Sequence, residues 1–106
     1  MKTGEGDHVL ECFLEEIHRR LGVHLKQVVL FGSRARGDHV DGSDYDCLLV
    51  VDRVSTEVKE MIDEVAGELL FQYNAVFSLF PVSEKEYRQQ TNDPFLRNIR
   101  HEGIVM

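Results

Sequence analysis

The sequence predicts a small α/β (α+β) domain in which a mixed β-sheet is flanked by helices. Short apolar runs alternate along the chain with longer segments in which apolar residues recur every three or four positions. A glycine turn and a pair of aspartates stand at the ends of two apolar runs. We expect residues 1–106 to form a single domain, because this length is enough to bury a core without disulfides or metals.

The first helix and the first strand follow from capping residues and spacing. Asp7 is the predicted N-cap and Gly22 the predicted end of a helix, and we expect the six residues before Asp7 to be disordered. The apolar positions of this helix are Leu10, Phe13, Leu14, Ile17 and Leu21. Residues 26–31 then predict a strand covered on both faces, because their apolar run is continuous.

The second half of the chain predicts two more strands and three more helices. Residues 45–51 and 75–80 are the strands, and Pro81 is expected to end the third one. A helix begins at Ser55 or Thr56 and ends at Tyr73-Asn74. Two helices follow: one from the capping box at Ser83 to about Gln90, and one from Asp93-Pro94 to Gly103.

The composition excludes several classes of function. A net charge of −7 argues against direct nucleic-acid binding, since Lys and Arg supply the affinity for a phosphate backbone. The N-terminus has no apolar signal region, and no apolar run approaches the roughly 20 residues of a membrane span. Cys12 and Cys47 lack metal-binding spacing and are expected to be reduced thiols. These features predict a cytoplasmic protein.

The candidate site lies between residues 30 and 51. In an extended segment, Asp44 and Asp46 project to one face, where two carboxylates persist most readily with a cation between them. Oxygen ligands of this kind suit Mg²⁺. Gly32 allows close backbone approach to a ligand, and Ser33 with the following N–H groups can face phosphate oxygens. The pattern predicts a site for a metal–polyphosphate complex.

Two further expectations concern how this site assembles. The glycine turn ends the first strand, whereas the aspartates begin the second, so the two strands must run antiparallel to bring them together. Arg34 lies next to Ser33 and is expected to neutralise phosphate charge, because its guanidinium matches phosphate geometry. Arg36 is expected to be an exposed cation.

The spacing Gly32-Ser33, ten residues, then Asp44-Tyr45-Asp46 resembles the nucleotidyltransferase signature of the DNA polymerase beta superfamily. The whole chain resembles the minimal nucleotidyltransferases (MNT proteins), which are often paired as antitoxins with HEPN-domain toxins. Segments 32–37, 43–46 and 94–103 all match that family. The resemblance implies a DNA polymerase beta-like fold in which Gly32 and Ser33 hold the phosphates of ATP, while catalytic Asp44 and Asp46 ligate Mg²⁺.

One departure from the family pattern bears on activity. Active members usually have a third aspartate on the following strand, which helps to bind the metal and to activate the attacking hydroxyl. Residues 74–80 contain no carboxylate. Ser78 is the polar residue nearest the expected position, and Asn74 is a second candidate.

Three functions remain open from the sequence. The first is a transferase that moves AMP from ATP to a hydroxyl of a partner protein, which the resemblance implies is a tyrosine of a HEPN toxin. The chain would then be an antitoxin. The second is a catalytically degraded module that neutralises its partner by binding only. The third is a subunit of an aminoglycoside-type nucleotidyltransferase, which the short chain disfavours because the acceptor must be held elsewhere.

Overall fold

The computed structural model describes residues 7–89 and 92–106. In chain order the elements are α1 (His8–Leu21), a 3₁₀ helix (Gly22–His24), β1 (Leu25–Phe31), α2 (Ser33–Arg36), β2 (Tyr45–Val51), α3 (Thr56–Tyr73), β3 (Phe77–Ser83), α4 (Glu84–Gln89), α5 (Pro94–Glu102) and β4 (Ile104–Val105). The expected disorder of residues 1–6 and the expected helix end at Gln90 lie outside the described residues.

The strands form a mixed sheet in the order β3-β2-β1-β4. β1 pairs with β2 and with β4 antiparallel, whereas β2 and β3 are parallel. The antiparallel pairing of β1 and β2 confirms the arrangement on which the predicted site depends. The predicted mixed α/β fold is likewise confirmed.

Capping side chains begin four of the helices as the sequence predicts, and at α4 the Glu86 N–H donates to the Ser83 hydroxyl at 3.1 Å. Asp7 accepts a hydrogen bond from the Leu10 N–H at 2.9 Å, and Ser55 accepts one from the Val58 N–H at 3.1 Å. Asp93 accepts one from the Phe95 N–H at 2.8 Å, with Pro94 as the first helical residue. The local sequence therefore fixes where these helices start.

Two apolar clusters lie on opposite faces of the sheet. The larger joins α1 and α3 to one face, and its fully buried members include Phe13, Ile17, Leu30, Leu49 and Val65. The smaller joins α5 to the other face through Val29, Leu48, Val50, Val82, Leu96 and Ile99. Covering on both faces explains the continuous apolar runs of β1 and β2, as expected from the sequence.

The prediction that Pro81 ends the third strand is wrong. β3 starts at Phe77, two residues later than predicted, and continues through Pro81 to Ser83. β3 is at the edge of the sheet formed by the described residues, and an edge strand tolerates a proline because one of its sides needs no N–H donors. A proline on an edge strand also discourages pairing with another chain.

In the part of the chain that the structure describes, no helix is both long enough and apolar enough to cross a membrane.

Candidate functional site

The turn after β1 brings the backbone directly against a carboxylate. Gly32 precedes α2 with φ 78° and ψ −158°, a conformation that only glycine adopts readily. A Cβ atom at this position would lie 2.4 Å from Oδ2 of Asp46. The backbone angle therefore favours glycine, a side chain here would displace the Asp46 carboxylate, and two of the predicted site residues are neighbours in space.

The start of α2 presents backbone donors at this turn. The N–H groups of Ala35 and Arg36 donate to the Gly32 carbonyl at 3.1 and 3.0 Å. The N–H groups of Ser33 and Arg34 come before them, and the first N–H groups of a helix have no acceptor within the helix. α2 starts at Ser33, and its open N-terminal end adjoins the Gly32–Asp46 contact.

Asp44 and Asp46 form an acidic pair at the start of β2. Asp46 is half-buried, and Asp44 is an exposed residue just before the strand. Burial raises the pKa of Asp46 above its ordinary value, the negative charge of Asp44 raises it further, and the charge of Arg36 opposes both. The pair is thus close enough to interact, and a bound cation would relieve the repulsion.

The donor chemistry of the pair fits a hard divalent cation, since both ligands are carboxylate oxygens. Within residues 7–89 and 92–106, no cluster of three or more His, Cys, Asp or Glu side chains is arranged to hold a metal ion. A Mg²⁺ ion at this pair would therefore complete its shell with water and with phosphate oxygens of a substrate, as Mg²⁺ commonly does.

The residue opposite Asp46 on β3 is Ser78. The parallel register pairs these two residues directly, so their side chains lie on the same face of the sheet. Asn74 instead ends α3 in the left-handed conformation, with φ 54°. Of the two candidates for the position of a third carboxylate, Ser78 is the one adjacent to the acidic pair.

Arg34 makes contacts within the protein rather than pointing into open solvent. Its Nε and Nη2 both donate to the Ser43 carbonyl, at 3.1 and 3.0 Å. Its guanidinium stacks 3.8 Å from the ring centre of Tyr45 and lies 3.7 Å from the Asp7 carboxylate. These contacts favour a role in holding the segment before Asp44, while the predicted role in phosphate binding stays a prediction.

Arg36 is the cation that sequence reasoning undervalued. It is exposed, as expected, but it pairs with Asp38 at 3.2 Å and with Glu102 of α5 at 3.5 Å. Its charge also partly opposes the upward shift of the Asp46 pKa. No local signal revealed this placement, because Glu102 is 66 residues away along the chain.

Similarity to known proteins agrees with this geometry. Residues 10–102 match the family described as nucleotidyltransferase domain. Two relatives from Methanocaldococcus jannaschii are named as candidate protein adenylyltransferases. The first is 33% identical over 100 residues, covering 94% of this chain and 96% of the relative. The second is 29% identical over 97 residues, covering 91% of this chain and 93% of the relative.

Two solved structures share the fold. One is a toxin–antitoxin complex with AMP-PNP, which matches with a TM-score of 0.62 and 20% identity over 90% of this chain and 70% of that chain. The other is a mutant of the MntA-HpeT toxin–antitoxin complex, with a TM-score of 0.61 and 18% identity over 91% of this chain and 70% of that chain. The chain belongs to the nucleotidyltransferase domain family, which confirms its resemblance to the minimal nucleotidyltransferases of the DNA polymerase beta superfamily and makes it a nucleotidyltransferase.

Proposed function

We propose that the protein is a protein adenylyltransferase that transfers AMP from ATP to a hydroxyl of a partner protein and thereby acts as an antitoxin. The names of the two relatives support protein adenylylation, and the fold shared with toxin–antitoxin complexes supports the antitoxin role. The resemblance to MNT proteins favours a tyrosine of a HEPN toxin as the acceptor.

The observation that most supports this proposal is the contact between the Gly32 backbone and the Asp46 carboxylate, with Asp44 beside it. A polyphosphate at the start of α2 would lie next to the two carboxylates. Asp44 and Asp46 would hold Mg²⁺, and Gly32 and Ser33 would hold phosphate oxygens through backbone N–H groups. When bound, Mg²⁺ would offset the charge of the phosphates and of the leaving pyrophosphate.

In the transfer, the oxygen of the acceptor hydroxyl attacks the α-phosphorus of ATP, a new P–O bond forms, and the bond to the bridging oxygen breaks to release pyrophosphate. The residues of this chain bind and orient the nucleotide and stabilise charge. The proton of the acceptor hydroxyl requires a base, and Ser78 is a poor one. We infer that the base comes from the partner protein or from solvent.

A second function, neutralisation by binding alone, is favoured by the Asp46–Ser78 pairing. Ser78, opposite Asp46, is the polar residue nearest the position at which the resemblance implies a third carboxylate. A domain that has lost this group could retain its partner surface without transferring AMP.

Intact mass spectrometry of the partner protein separates the two functions. The protein that co-purifies with this chain is measured before and after incubation with ATP and Mg²⁺, using wild type, Asp44→Asn/Asp46→Asn and Asp41→Asn. Asp41 is a matched control because it is an exposed loop carboxylate outside the pair. We expect an added AMP mass with wild type and Asp41→Asn, and none with the double variant. A stable complex of unchanged mass would establish the binding-only function instead.

A further inference from the structure

A cleft of about 420 Å³ opens on the sheet face that α5 covers, between β2, β3 and the starts of α4 and α5. Its lining includes Leu48 of β2, Phe80 and Pro81 of β3, and Phe95 and Leu96 of α5. Its lining combines apolar and aromatic side chains with the polar residues Glu86 and Asp93. A volume of this order fits a planar heterocycle, and clefts with apolar walls and a few polar groups are typical small-molecule sites.

Three aromatic rings cluster at this cleft. The ring centres of Phe31 and Phe80 are 5.7 Å apart, those of Phe80 and Phe95 are 5.5 Å apart, and those of Phe31 and Phe95 are 5.8 Å apart. Phe80 is 39% and Phe95 is 44% exposed. Two partly exposed rings that border one cleft offer faces on which another flat ring can stack.

The cleft lies on the same face of the sheet as the Asp46 side chain, because Leu48 and Asp46 are two residues apart on β2. Phe31 pairs with Asp46 across the antiparallel β1–β2 ladder, so both side chains lie on one face. Leu48, in the cleft, follows Asp46 by two residues, which is about 7 Å along a strand. A ribose separates a nucleobase from its α-phosphate by a comparable distance.

The negative charges at the cleft favour the base of a nucleotide over its phosphates as the part that binds there. Glu86 and Asp93 contribute carboxylates to the lining. The Asp93 carboxylate is fixed at the start of α5 by the N–H groups of Phe95 and Leu96, at 2.8 and 3.4 Å. Like charges repel, so these carboxylates disfavour a polyphosphate in the cleft. The uncharged base of a nucleotide is not excluded in this way.

We propose that this cleft binds the nucleobase of the nucleoside triphosphate, stacked on Phe80 at the rim that Phe95 completes. The inference rests on the proposed nucleotide site at Gly32, Asp44 and Asp46 and adds the part of the protein that holds the base. Phe80 and Phe95 are therefore binding residues, and they contribute affinity for ATP beyond that for its phosphates.

The test compares two ligands by calorimetry on the full chain in the presence of Mg²⁺. ATP has a base and a ribose, whereas inorganic tripolyphosphate has neither. Phe80→Leu and Phe95→Leu keep apolar volume and remove the ring, and Phe80→Tyr retains it. Phe71→Leu is the matched control, because Phe71 is 91% exposed on α3, which packs against the other face of the sheet.

We expect Phe80→Leu and Phe95→Leu each to weaken ATP binding roughly 10-fold, as loss of base stacking does, without changing tripolyphosphate binding. Phe71→Leu should bind ATP like wild type, and Phe80→Tyr should bind ATP more tightly than Phe80→Leu because it keeps an aromatic ring. Thermal melts identify any variant that fails to fold. If either Phe80→Leu or Phe95→Leu fails, the result for the remaining one decides the outcome.

Other outcomes separate the failure of this inference from the failure of the proposed function. Unchanged ATP binding in both ring variants would exclude the base from the cleft while leaving the proposed function intact. Unchanged ATP binding with lost AMP transfer would assign the cleft to an aromatic side chain of the acceptor. If wild type binds neither ligand, the cleft and the proposed function fail together. Base-dependent ATP binding without transfer would support the cleft and contradict only the proposed function.

Discussion

At the scale of single residues, Gly32 links the fold to the chemistry of the site. Its backbone angle of +78° strains any residue with a Cβ, and a Cβ at this position would displace the Asp46 carboxylate. Gly42 has a similar angle, +86°, but open space around it. Comparing substitutions at these two glycines therefore distinguishes the effect of backbone strain from the effect of crowding the Asp46 carboxylate.

We expect Gly32→Ala to destabilise the protein by about 1–3 kcal/mol through backbone strain, and Gly42→Ala to do so to a similar degree. Only Gly32→Ala displaces the Asp46 carboxylate, so only this variant should lose AMP transfer, by roughly 100-fold. Urea unfolding measures the first effect, and the rate of AMP transfer to the partner measures the second. Equal activity of the two variants would contradict the role given to the Gly32–Asp46 contact.

At the scale of elements, a stack of side chains connects α1 to the start of β2. The rings of Phe13 and Phe77 lie 4.5 Å apart, those of Phe77 and Tyr45 lie 4.4 Å apart, and Arg34 covers the far face of Tyr45. The Tyr45 hydroxyl donates to the Asp7 carboxylate, with oxygens at 3.0 and 3.1 Å. Tyr45 and Phe77 directly precede Asp46 and Ser78, so the stack holds both strands at the site.

The hydroxyl of Tyr45 predicts a stability change at high pH. Burial, reinforced by the hydrogen bond to the negative Asp7 carboxylate, raises the pKa of Tyr45 from 10.0 to about 12. Because the folded-state pKa is the higher one, the hydroxyl stabilises the fold fully below pH 10, and this contribution disappears as the pH rises towards 12.

We therefore expect Tyr45→Phe to lower the free energy of unfolding by about 1–2 kcal/mol at neutral pH. Its difference from wild type should vanish between about pH 10 and about pH 12. Urea unfolding across this range is the measurement. A difference that stays constant with pH would show that the hydroxyl contributes no proton-linked stability.

At the scale of the whole molecule, the larger apolar cluster forms the main core, and the smaller one lies beside the candidate site. The larger cluster joins α1, α3 and the sheet, and Phe13 is completely buried in it. The smaller cluster fixes α5 against the other face, beside the aromatic cleft and the acidic pair. The site thus lies on the more lightly covered face of the sheet.

This division predicts a large effect of mutating the main core. Phe13→Ala should cost about 3–5 kcal/mol, because it removes a buried ring and leaves a cavity. That loss is a large fraction of the roughly 5–15 kcal/mol that stabilises a typical domain. Phe71→Ala, on an exposed ring, should change stability by no more than about 0.5 kcal/mol. The urea concentrations at the midpoints of unfolding are measured for Phe13→Ala and Phe71→Ala. Similar midpoints for the two variants would contradict the assignment of Phe13 to the core.

Local signals in the sequence were sufficient for much of the fold. The side chains of Asp7, Ser55 and Asp93 each bond an N–H only two or three residues further along the chain, so these helix starts were predictable from local sequence. The limits of β3 were not, because whether a strand tolerates Pro81 depends on its position at the edge of the sheet. Sheet order is set by contacts between residues far apart in the chain.

The residue types along the chain define the chemistry of the site: a glycine at a turn, two carboxylates at i and i+2, and no carboxylate on the third strand. The tertiary structure decided which of these meet. The fold places Asp46 against Gly32 and beside Ser78, and it places Arg34 over the Tyr45 ring. It also packs Phe31 against Phe80 and Phe95, the two rings that line the cleft. Residue types and local spacing set the chemical properties of each side chain, because these depend only on nearby residues. Long-range packing sets which side chains come into contact, because their partners are far apart in the chain.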